Sequence, residues 1–155
     1  MRRPLLLLVL LATVAGTWAK AAFAYVHEPS GGSHRVQKLT RRVVGYARRQ
    51  LGVPYSYGGS SPSTGFDCSG LVYAAYRSIG WKIPRSSWDQ LRAGRPIAFG
   101  RLRPGDLLFT EGGGHVQLVV SKSAAISAPQ TGERVRYVPL AQLRPEFAGA
   151  RRLLK

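Results

Sequence analysis

The sequence predicts an α+β fold in which helices come first and an antiparallel sheet follows. In the first part of the chain, apolar residues recur at helical spacing. After residue 104 the pattern changes to short apolar or alternating segments, as expected for strands. The chain has 155 residues, of which 45% are hydrophobic, so it is long enough for one domain with its own core and too short for two ordinary domains.

The first predicted helix covers residues 38–51. Its apolar residues recur every three or four positions, and its arginines fall on the other faces. Gly52 and Pro54 are typical of a helix end, so the helix is predicted to stop there. Residues 52–67 are rich in glycine and contain two prolines, and they are predicted to form a loop.

Two shorter helices are predicted next. Residues 69–79 carry an apolar stripe and are followed by Gly80, which is a common residue just after a helix. Residues 86–92 predict a third, short helix that begins with Ser86 or Ser87 as its N-cap. A serine suits this position because its side chain accepts a hydrogen bond from a free backbone N–H of the first turn.

Four strands are predicted after the turn formed by Pro104 and Gly105. The clearest is the segment that starts at His115, because its residues alternate between two faces. Helices followed by a run of short antiparallel strands are typical of the α+β class. The predicted strands cover residues 106–109, 115–120, 124–128 and 134–138.

The first 24 residues resemble a secretory signal sequence. Arg2 and Arg3 give the positive start, and the apolar run over residues 5–14 is too short for a comfortable membrane span. Ala22-Phe23-Ala24 fits a signal-peptidase site, so the mature chain is expected to begin at Tyr25. The alternative is an uncleaved N-terminal anchor. In both cases the rest of the chain is expected outside the cytoplasm.

Residues 25–38 are predicted as a flexible linker and residues 39–155 as a single domain. The full chain has a net charge of +16, and removal of residues 1–24 leaves 20 basic and 7 acidic residues, a net charge of +13. A charge of this size bears on partners rather than on fold, and it suits nucleic acid, an anionic membrane or an anionic polymer. Nucleic acid is not expected, because the arginines are scattered and no recognition module is visible.

Cys68 is the only cysteine of the chain. It cannot form an intramolecular disulfide, and an unpaired thiol outside the cytoplasm is a liability, which favours a reactive role. A cysteine at a helix start experiences the positive end of the dipole and free N–H groups, which favour the thiolate and can bind an oxyanion. The alternative, a small buried hydrophobic residue, is disfavoured by the polar neighbours Asp67 and Ser69.

His115 is the candidate general base, because the other two histidines lie in the predicted linker. In a Cys–His pair the imidazole takes the thiol proton and later donates it to the leaving amine. The alternative is an ordinary surface histidine. One cysteine and one histidine in the domain do not make a zinc site, so neither a metal nor another cofactor is expected.

A histidine base usually needs a partner that orients it. A hairpin that turns about residues 121–123 would place Ser127 opposite His115, where its hydroxyl accepts the Nδ1 proton. A serine does not stabilise an imidazolium as a carboxylate does, and Ser127 has the alternative of being a surface residue of a strand. The other candidates for this role are Gln117, Gln130 and Glu133.

Five segments follow one another in an informative order: Leu51–Gly59, Phe66–Val72, Ile83–Ser87, Leu102–Phe109 and Gly114–Val116. In this order they resemble the motif series of the NlpC family, which are bacterial cell-wall cysteine peptidases of papain-like fold. The resemblance runs from about residue 40 to residue 140. Five motifs in sequence are far more specific than any one of them.

The resemblance implies a papain-like fold, with N-terminal helices packed on an antiparallel sheet and the nucleophile at a helix N-terminus. It implies that Cys68 is the nucleophile and His115 the base. Tyr55 matches a tyrosine that hydrogen-bonds near the oxyanion or the substrate. Asp67 and Ser69 match residues that contact the amino end of the stem peptide in some members. The implied substrate is the peptidoglycan stem peptide, cut between D-γ-glutamyl and the diamino acid.

The chain departs from the family pattern at two positions. By spacing from His115, Ser127 stands where the family has its third catalytic residue, which is often His and sometimes Asn, Gln or Glu. Gln117 replaces the glycine that usually lies two residues after the histidine. The serine is expected to affect the rate of the reaction rather than its chemistry.

Two functions follow as hypotheses. The first is a secreted, monomeric peptidoglycan endopeptidase, periplasmic or extracellular, which acts on stem peptides, is attracted to anionic wall polymers and does not bind membrane after signal removal. The second is a catalytically weak wall-binding relative, which is supported by Ser127. The pair formed by Cys68 and His115 favours the enzyme.

Overall fold

A computed structural model describes residues 31–155, and it confirms the predicted α+β class. The predicted signal sequence and the first part of the predicted linker lie outside the described residues. Two short 3₁₀ turns cover residues 99–101 and 111–113. The helices and strands are α1 Gly31–Arg49, β1 Ser60–Ser61, β2 Gly65–Phe66, α2 Cys68–Arg77, α3 Ser87–Gln90, β3 Arg95–Pro96, β4 Leu107–Thr110, β5 His115–Val119, β6 Ala124–Ser127, β7 Arg136–Pro139, α4 Leu140–Leu143 and β8 Gly149–Arg152.

Helix α1 begins at Gly31, seven residues before the predicted start, so residues 31–38 are helical rather than a linker. Val36 and Leu39 explain the difference, because both pack against the core that also contains Val43 and Ala47. The apolar stripe therefore extends towards the N-terminus past the point where the polar composition suggested a flexible segment.

The main sheet has six strands in the order β3-β8-β4-β5-β6-β7, and every neighbouring pair is antiparallel. One face of β5 carries Val116 and Leu118 into the main core, against α1 and α2. The other face carries Val119 into a second cluster with Leu108 and Leu140. Both faces of the central strands are thus covered by protein, and α2 packs on the face that carries Val116 and Leu118.

The sequence reading did not identify β3, β8, α4 or the small β1–β2 hairpin. Strand β8 has the sequence Gly-Ala-Arg-Arg and lacks the apolar alternation by which strands are recognised, yet it lies between β3 and β4. It is held there by tertiary contacts. Ala150 is buried, and the side chain of Arg152 reaches a buried carboxylate.

That carboxylate belongs to Asp106, which lies immediately before β4 and is 1% exposed. Arg152 donates to both of its oxygens at 2.6 Å, and the backbone N–H of Arg103 donates to Oδ2 at 2.8 Å. The next residue back, Gly105, accepts a hydrogen bond of 2.6 Å from the hydroxyl of Tyr76 in α2. These bonds fasten α2, β4 and β8 together at the end of the sheet where β4 begins.

We expect Asp106→Asn to lower the free energy of unfolding by about 3–5 kcal/mol, because it leaves the guanidinium of Arg152 largely buried without its counter-ion. Urea denaturation of the parent and the variant measures the loss. Asp89→Asn is the matched control, since Asp89 and Arg92 form an exposed pair for which about 0–1 kcal/mol is expected. Equal small losses in both variants would contradict a stabilising role for the buried pair.

Candidate active site

Cys68 is the first residue of α2, and Asp67 is the N-cap that starts the helix. The carboxylate of Asp67 accepts a 2.6 Å hydrogen bond from the backbone N–H of Gly70, which would otherwise lack a partner in the first helical turn. The backbone N–H of Asp67 in turn donates to the carbonyl oxygen of Gly59 at 3.1 Å. The position of Cys68 is therefore fixed by two bonds of Asp67, one to the helix at Gly70 and one to the preceding loop at Gly59.

Arg85 holds the same carboxylate from outside the helix. Its two terminal nitrogens donate to the two oxygens of Asp67 at 2.9 and 2.8 Å, and they also donate to Ser69 Oγ and to the carbonyl oxygen of Gly59. The backbone N–H of Gly58 completes the set at 2.9 Å. Arg85 was not predicted as a site residue, although it lies in the motif segment Ile83–Ser87.

Two glycines allow the loop before α2 to lie against the helix. A Cβ atom at Gly70 would overlap the carbonyl oxygen of Gly59, and one at Gly59 would overlap the carbonyl oxygen of Gly65. Any side chain at these positions would push the loop away from the start of α2. The glycines therefore let the loop that carries Gly58 and Gly59 reach Asp67.

The side chain of Cys68 is half-buried against the start of β5. Burial raises the pKa of this thiol above its ordinary value of 9.0, Asp67 raises it further, and hydrogen bonds from the backbone N–H groups of Val116, Ser69 and Cys68 itself lower it in part. The net shift is upward. The N–H groups at the helix start lower this pKa, as predicted, but burial outweighs them, so the resting site favours the thiol.

Val116 is available to the sulfur because the strands diverge at this point. The pairing of β5 with β6 covers Leu118–Ile126 and Val119–Ala125, so it stops before Val116 is reached. The N–H of Val116 faces Cys68 instead. This contact brings the sulfur next to the residue that follows His115.

His115 is the first residue of β5 and is half-buried. Burial lowers the pKa of its imidazole below the ordinary 6.5, although Glu111 and Glu146 act in the opposite direction. The imidazole is therefore neutral at pH 7, as a general base must be. Together with the raised pKa of Cys68, this gives a resting site that contains a thiol and a neutral imidazole.

Ser127 lies on β6 and is buried, with its Oγ 2.9 Å from Nε2 of His115. The contact differs from the predicted one in two ways. The register pairs Leu118 with Ile126, which sets Ser127 opposite Gln117 and diagonally across from His115. The bonded nitrogen is Nε2 rather than Nδ1, so Nδ1 is the ring nitrogen left for the thiol.

The three alternative orienting residues have other partners. Gln117 donates from Nε2 to Oγ1 of Thr110 at 3.1 Å. Gln130 donates to the carboxylate of Glu133 at 3.0 Å, and the same carboxylate accepts from Arg136. None of these bonds involves His115. Among the three residues and Ser127, only Ser127 has a hydrogen bond with the imidazole in the described part of the chain.

Tyr55 lies in the loop that precedes Cys68. Its backbone pairs with Phe66 of β2 in a parallel bridge, and its N–H donates to the carbonyl oxygen of Glu133 at 2.9 Å. Burial raises the pKa of its phenol, and the charges of Cys68 and Asp67 raise it further. The hydroxyl therefore stays protonated at neutral pH.

Trp88 forms a second aromatic surface near the site, which the sequence analysis did not single out. It is 52% exposed, and a Cβ atom at Gly113 would lie 3.1 Å from its ring. The neighbouring Ser87 donates from Oγ to the carbonyl oxygen of Gly114 at 3.0 Å. The N-cap of α3 is Ser86, one of the two predicted residues, and α3 is thus attached to the turn that leads into His115.

Within residues 31–155, no group of three or more His, Cys, Asp or Glu side chains is placed to hold a metal ion. No helix in this range has the length and apolar character needed to cross a membrane.

Comparison with known proteins gives the family. The NlpC/P60 family model matches residues 52–151. The chain is 40% identical over 130 residues to the murein DD-endopeptidase MepH of Escherichia coli K12, covering 77% of this chain and 48% of that protein. It is 39% identical over 98 residues to the gamma-D-glutamyl-L-lysine dipeptidyl-peptidase of Bacillus subtilis 168, covering 59% of this chain and 33% of that protein. The chain thus spans half or less of the length of these two relatives.

The solved structure of the peptidoglycan hydrolase RipB from Mycobacterium tuberculosis superposes with a TM-score of 0.71 at 32% identity, over 82% of this chain and 72% of that one. With the family model and the 40% identity to MepH, it supports the conclusion drawn from the motif series. This chain belongs to the NlpC/P60 family.

Proposed function

We propose that the chain is a peptidoglycan endopeptidase in which Cys68 is the nucleophile, His115 the general base and Ser127 the residue that orients the base. The observation that carries this proposal is the convergence of three elements. The thiol at the start of α2 faces the N–H of Val116 on β5, and the adjacent imidazole is bonded to β6 through Ser127. These are the parts that thiol-dependent acyl transfer requires.

In the reaction, the sulfur of Cys68 attacks the carbonyl carbon of the scissile amide while Nδ1 of His115 accepts the thiol proton. The C–S bond forms, and the carbonyl electron pair moves to the oxygen. The backbone N–H of Cys68 and the hydroxyl of Tyr55 are suited to stabilise this oxyanion. Collapse of the intermediate breaks the C–N bond, and the imidazolium gives its proton to the leaving amine. Water activated by His115 then hydrolyses the thioester.

We propose that Asp67 and Ser69 act on the substrate mainly through Arg85. Both side chains already accept hydrogen bonds from its guanidinium. Arg85 remains 37% exposed and is close enough to Cys68 for the thiolate charge to raise its pKa. The charge of Arg85 is cancelled by Asp67, and its terminal N–H groups are already used, so the pair offers the substrate a fixed, neutral polar surface.

The bond that we propose is the one between D-γ-glutamyl and the diamino acid, and the name of the B. subtilis relative supports it. The name of MepH denotes a DD-endopeptidase, so the relatives differ in specificity. Digestion of purified muropeptides, followed by mass assignment of the products, distinguishes the two bonds. Export with cleavage after Ala24 is part of the same proposal, because the substrate lies outside the cytoplasm.

A catalytically weak wall-binding protein is the second candidate. Two observations favour it: the raised pKa of Cys68 and the neutral hydroxyl of Ser127 in place of a group that stabilises imidazolium. Muropeptide turnover by the parent at a rate typical of enzymes, about 1 per second or faster, would exclude it.

Cys68→Ser is expected to abolish wall hydrolysis, with a loss of about a thousandfold or more, because a serine hydroxyl is far less nucleophilic than a thiol in this site. Muropeptide turnover measures the effect, and circular dichroism checks that the fold is kept. A thiol reagent should label the parent and stop its activity, since Cys68 is the only cysteine. Full activity of the serine variant in a zymogram would rule out the enzyme mechanism.

Ser127→Ala is expected to lower kcat by about tenfold to a hundredfold, because the imidazole loses the hydrogen bond at Nε2 that fixes its orientation. Ser127→Asn and Ser127→His should preserve or raise the rate, since each has an acceptor for the imidazole N–H. Ser123→Ala is the matched control, as this serine lies exposed at the turn of the same hairpin. Unchanged kcat in Ser127→Ala would remove Ser127 from the site without affecting the roles of Cys68 and His115.

The pH profile of kcat/KM is expected to be a broad bell. Its acid limb should lie below pH 6.5, because burial lowers the pKa of His115 and the base is lost only when the pH falls through that value. Its alkaline limb should lie above pH 9.0, because the pKa of Cys68 is raised above that value. Below the limb the thiol keeps the proton that His115 must pass to the leaving amine. A profile with an acid limb above pH 6.5 would contradict a buried, neutral imidazole as the base.

A further inference from the structure

A wide basic groove lies at the far end of β5 and β6 from the candidate active site. It is lined by the turn between these strands, by residues 95–104 and by α4, and its volume is about 1340 Å³. Four residues of β5 separate His115 from this end, a distance of roughly 13 Å along the strand. None of the proposed catalytic residues lines the groove.

The rim of the groove is strongly cationic and carries no acidic residue: its charged residues are Arg95, Arg101, Arg103, Lys122, Arg144 and Arg152. Arg152 is neutralised by Asp106. Within residues 31–155 the other five form no ion pair. Five uncompensated charges around one concavity repel one another, and a bound anion would relieve that repulsion.

The residue types indicate phosphate as the anion. Four of the five unpaired cations are arginines, whose planar guanidinium groups bind phosphate oxygens through two parallel hydrogen bonds. The guanidinium of Arg144 is already held 5.1 Å from the ring centre of Phe99. Leu140 and the half-buried Leu102 give the lining apolar patches, which suit the carbon backbone of a sugar or polyol.

The shape of the groove indicates a chain rather than a single ion. A second groove of about 420 Å³ shares Arg95, Arg103 and Arg152 with the first one and continues past α1 to Lys155. The two together form one path with cations along its length. Successive phosphates of a linear polymer would meet these cations in turn.

Neither a bilayer nor a nucleic acid suits this surface as well. Basic surfaces that bind a bilayer usually add apolar side chains that insert to the attraction of charge, and single-stranded nucleic acid is held by aromatic rings on which bases stack. The large exposed hydrophobic residues of the described part lie elsewhere: they are Leu51, Tyr57, Trp81, Trp88 and Tyr137. The one aromatic residue of the groove, Phe99, is packed against Phe147 and Arg144.

We infer that the basic groove binds a linear phosphodiester polymer of the cell wall and so holds the domain close to its substrate. This inference rests on the proposed wall location of the chain and does not depend on catalysis. The groove acts as a binding site that is separate from the peptide-cleaving site.

The test uses the full chain and purified poly(glycerol phosphate) as the probe, with the dissociation constant measured at several salt concentrations. The groove variant combines Arg101→Gln, Arg103→Gln and Lys122→Gln. We expect it to bind about tenfold more weakly or worse, with the slope of log K against log salt reduced by about 2, as for other flexible phosphodiester chains. The variant should hydrolyse a small muropeptide that carries no attached wall polymer at the same rate as the parent.

The control variant combines Arg35→Gln, Lys38→Gln and Arg41→Gln on α1, where all three side chains are exposed. Like the groove variant, it replaces two arginines and one lysine, so the net charge falls by the same amount. We expect its affinity for the polymer to fall by about twofold or less. Equal losses in the two variants would show attraction by total charge alone and would overturn the inference. Failure of the parent to bind the polymer would overturn it too.

Two further probes test the alternative ligands of the groove. Tighter, groove-dependent binding of a single-stranded oligonucleotide, or of vesicles that contain acidic phospholipid, would overturn the inference in favour of that partner. If the parent binds the polymer through the groove but does not cleave muropeptides, the proposed enzyme function fails and the groove inference stands. Circular dichroism of both triple variants confirms that they are folded.

Discussion

The hydrogen bonds of the Asp67 carboxylate are the interactions on which the rest of the site depends. This carboxylate caps α2 through Gly70, receives the guanidinium of Arg85 and accepts a hydrogen bond from the N–H of Gly58. One group thus joins α2, the segment before α3 and the loop that carries Gly58. Cys68 is the next residue, and its position follows directly from this cap. The same negative charge raises the pKa of the thiol, so the group that places Cys68 also disfavours its thiolate.

The resting chemistry of the site follows from burial. The thiol has a raised pKa and the imidazole a lowered one, and in both cases the loss of solvent is the largest cause. A neutral pair of this kind avoids holding two charges in a half-buried site without substrate. In the proposed reaction, charge develops only during attack on the amide, and the N–H of Val116 is directed towards the sulfur because β5 and β6 diverge there.

The sequence predicted the fold class, α2 and the two central strands of the site, because their apolar patterns are local. Cys68 and His115 were identifiable because each is the sole residue of its type in the predicted domain. Arg85 and Trp88 were missed, since their contacts depend on how α3 lies against α2 and the turn before β5. No local pattern marks such contacts.

Ser127 shows how far the sequence can determine a contact across strands. Its neighbour relation to His115 was predicted, but the register was two residues different and the bonded nitrogen was the other one. Both depend on the turn geometry and on the ring orientation, which alternation of residues does not define. Strand β8 was missed for a related reason, because Arg152 belongs there through its bond to Asp106 and not through an apolar pattern.

The hydroxyl of Ser127 can donate a hydrogen bond as well as accept one, which distinguishes it from a carboxylate. When Nε2 of His115 carries the proton, the serine oxygen accepts it and Nδ1 is free to act as the base. When the serine donates to Nε2 instead, the proton sits on Nδ1 and the imidazole cannot take one from Cys68. A neutral partner therefore leaves His115 in an equilibrium between two tautomers, and the fraction of molecules ready to react is set by the small free-energy difference between them.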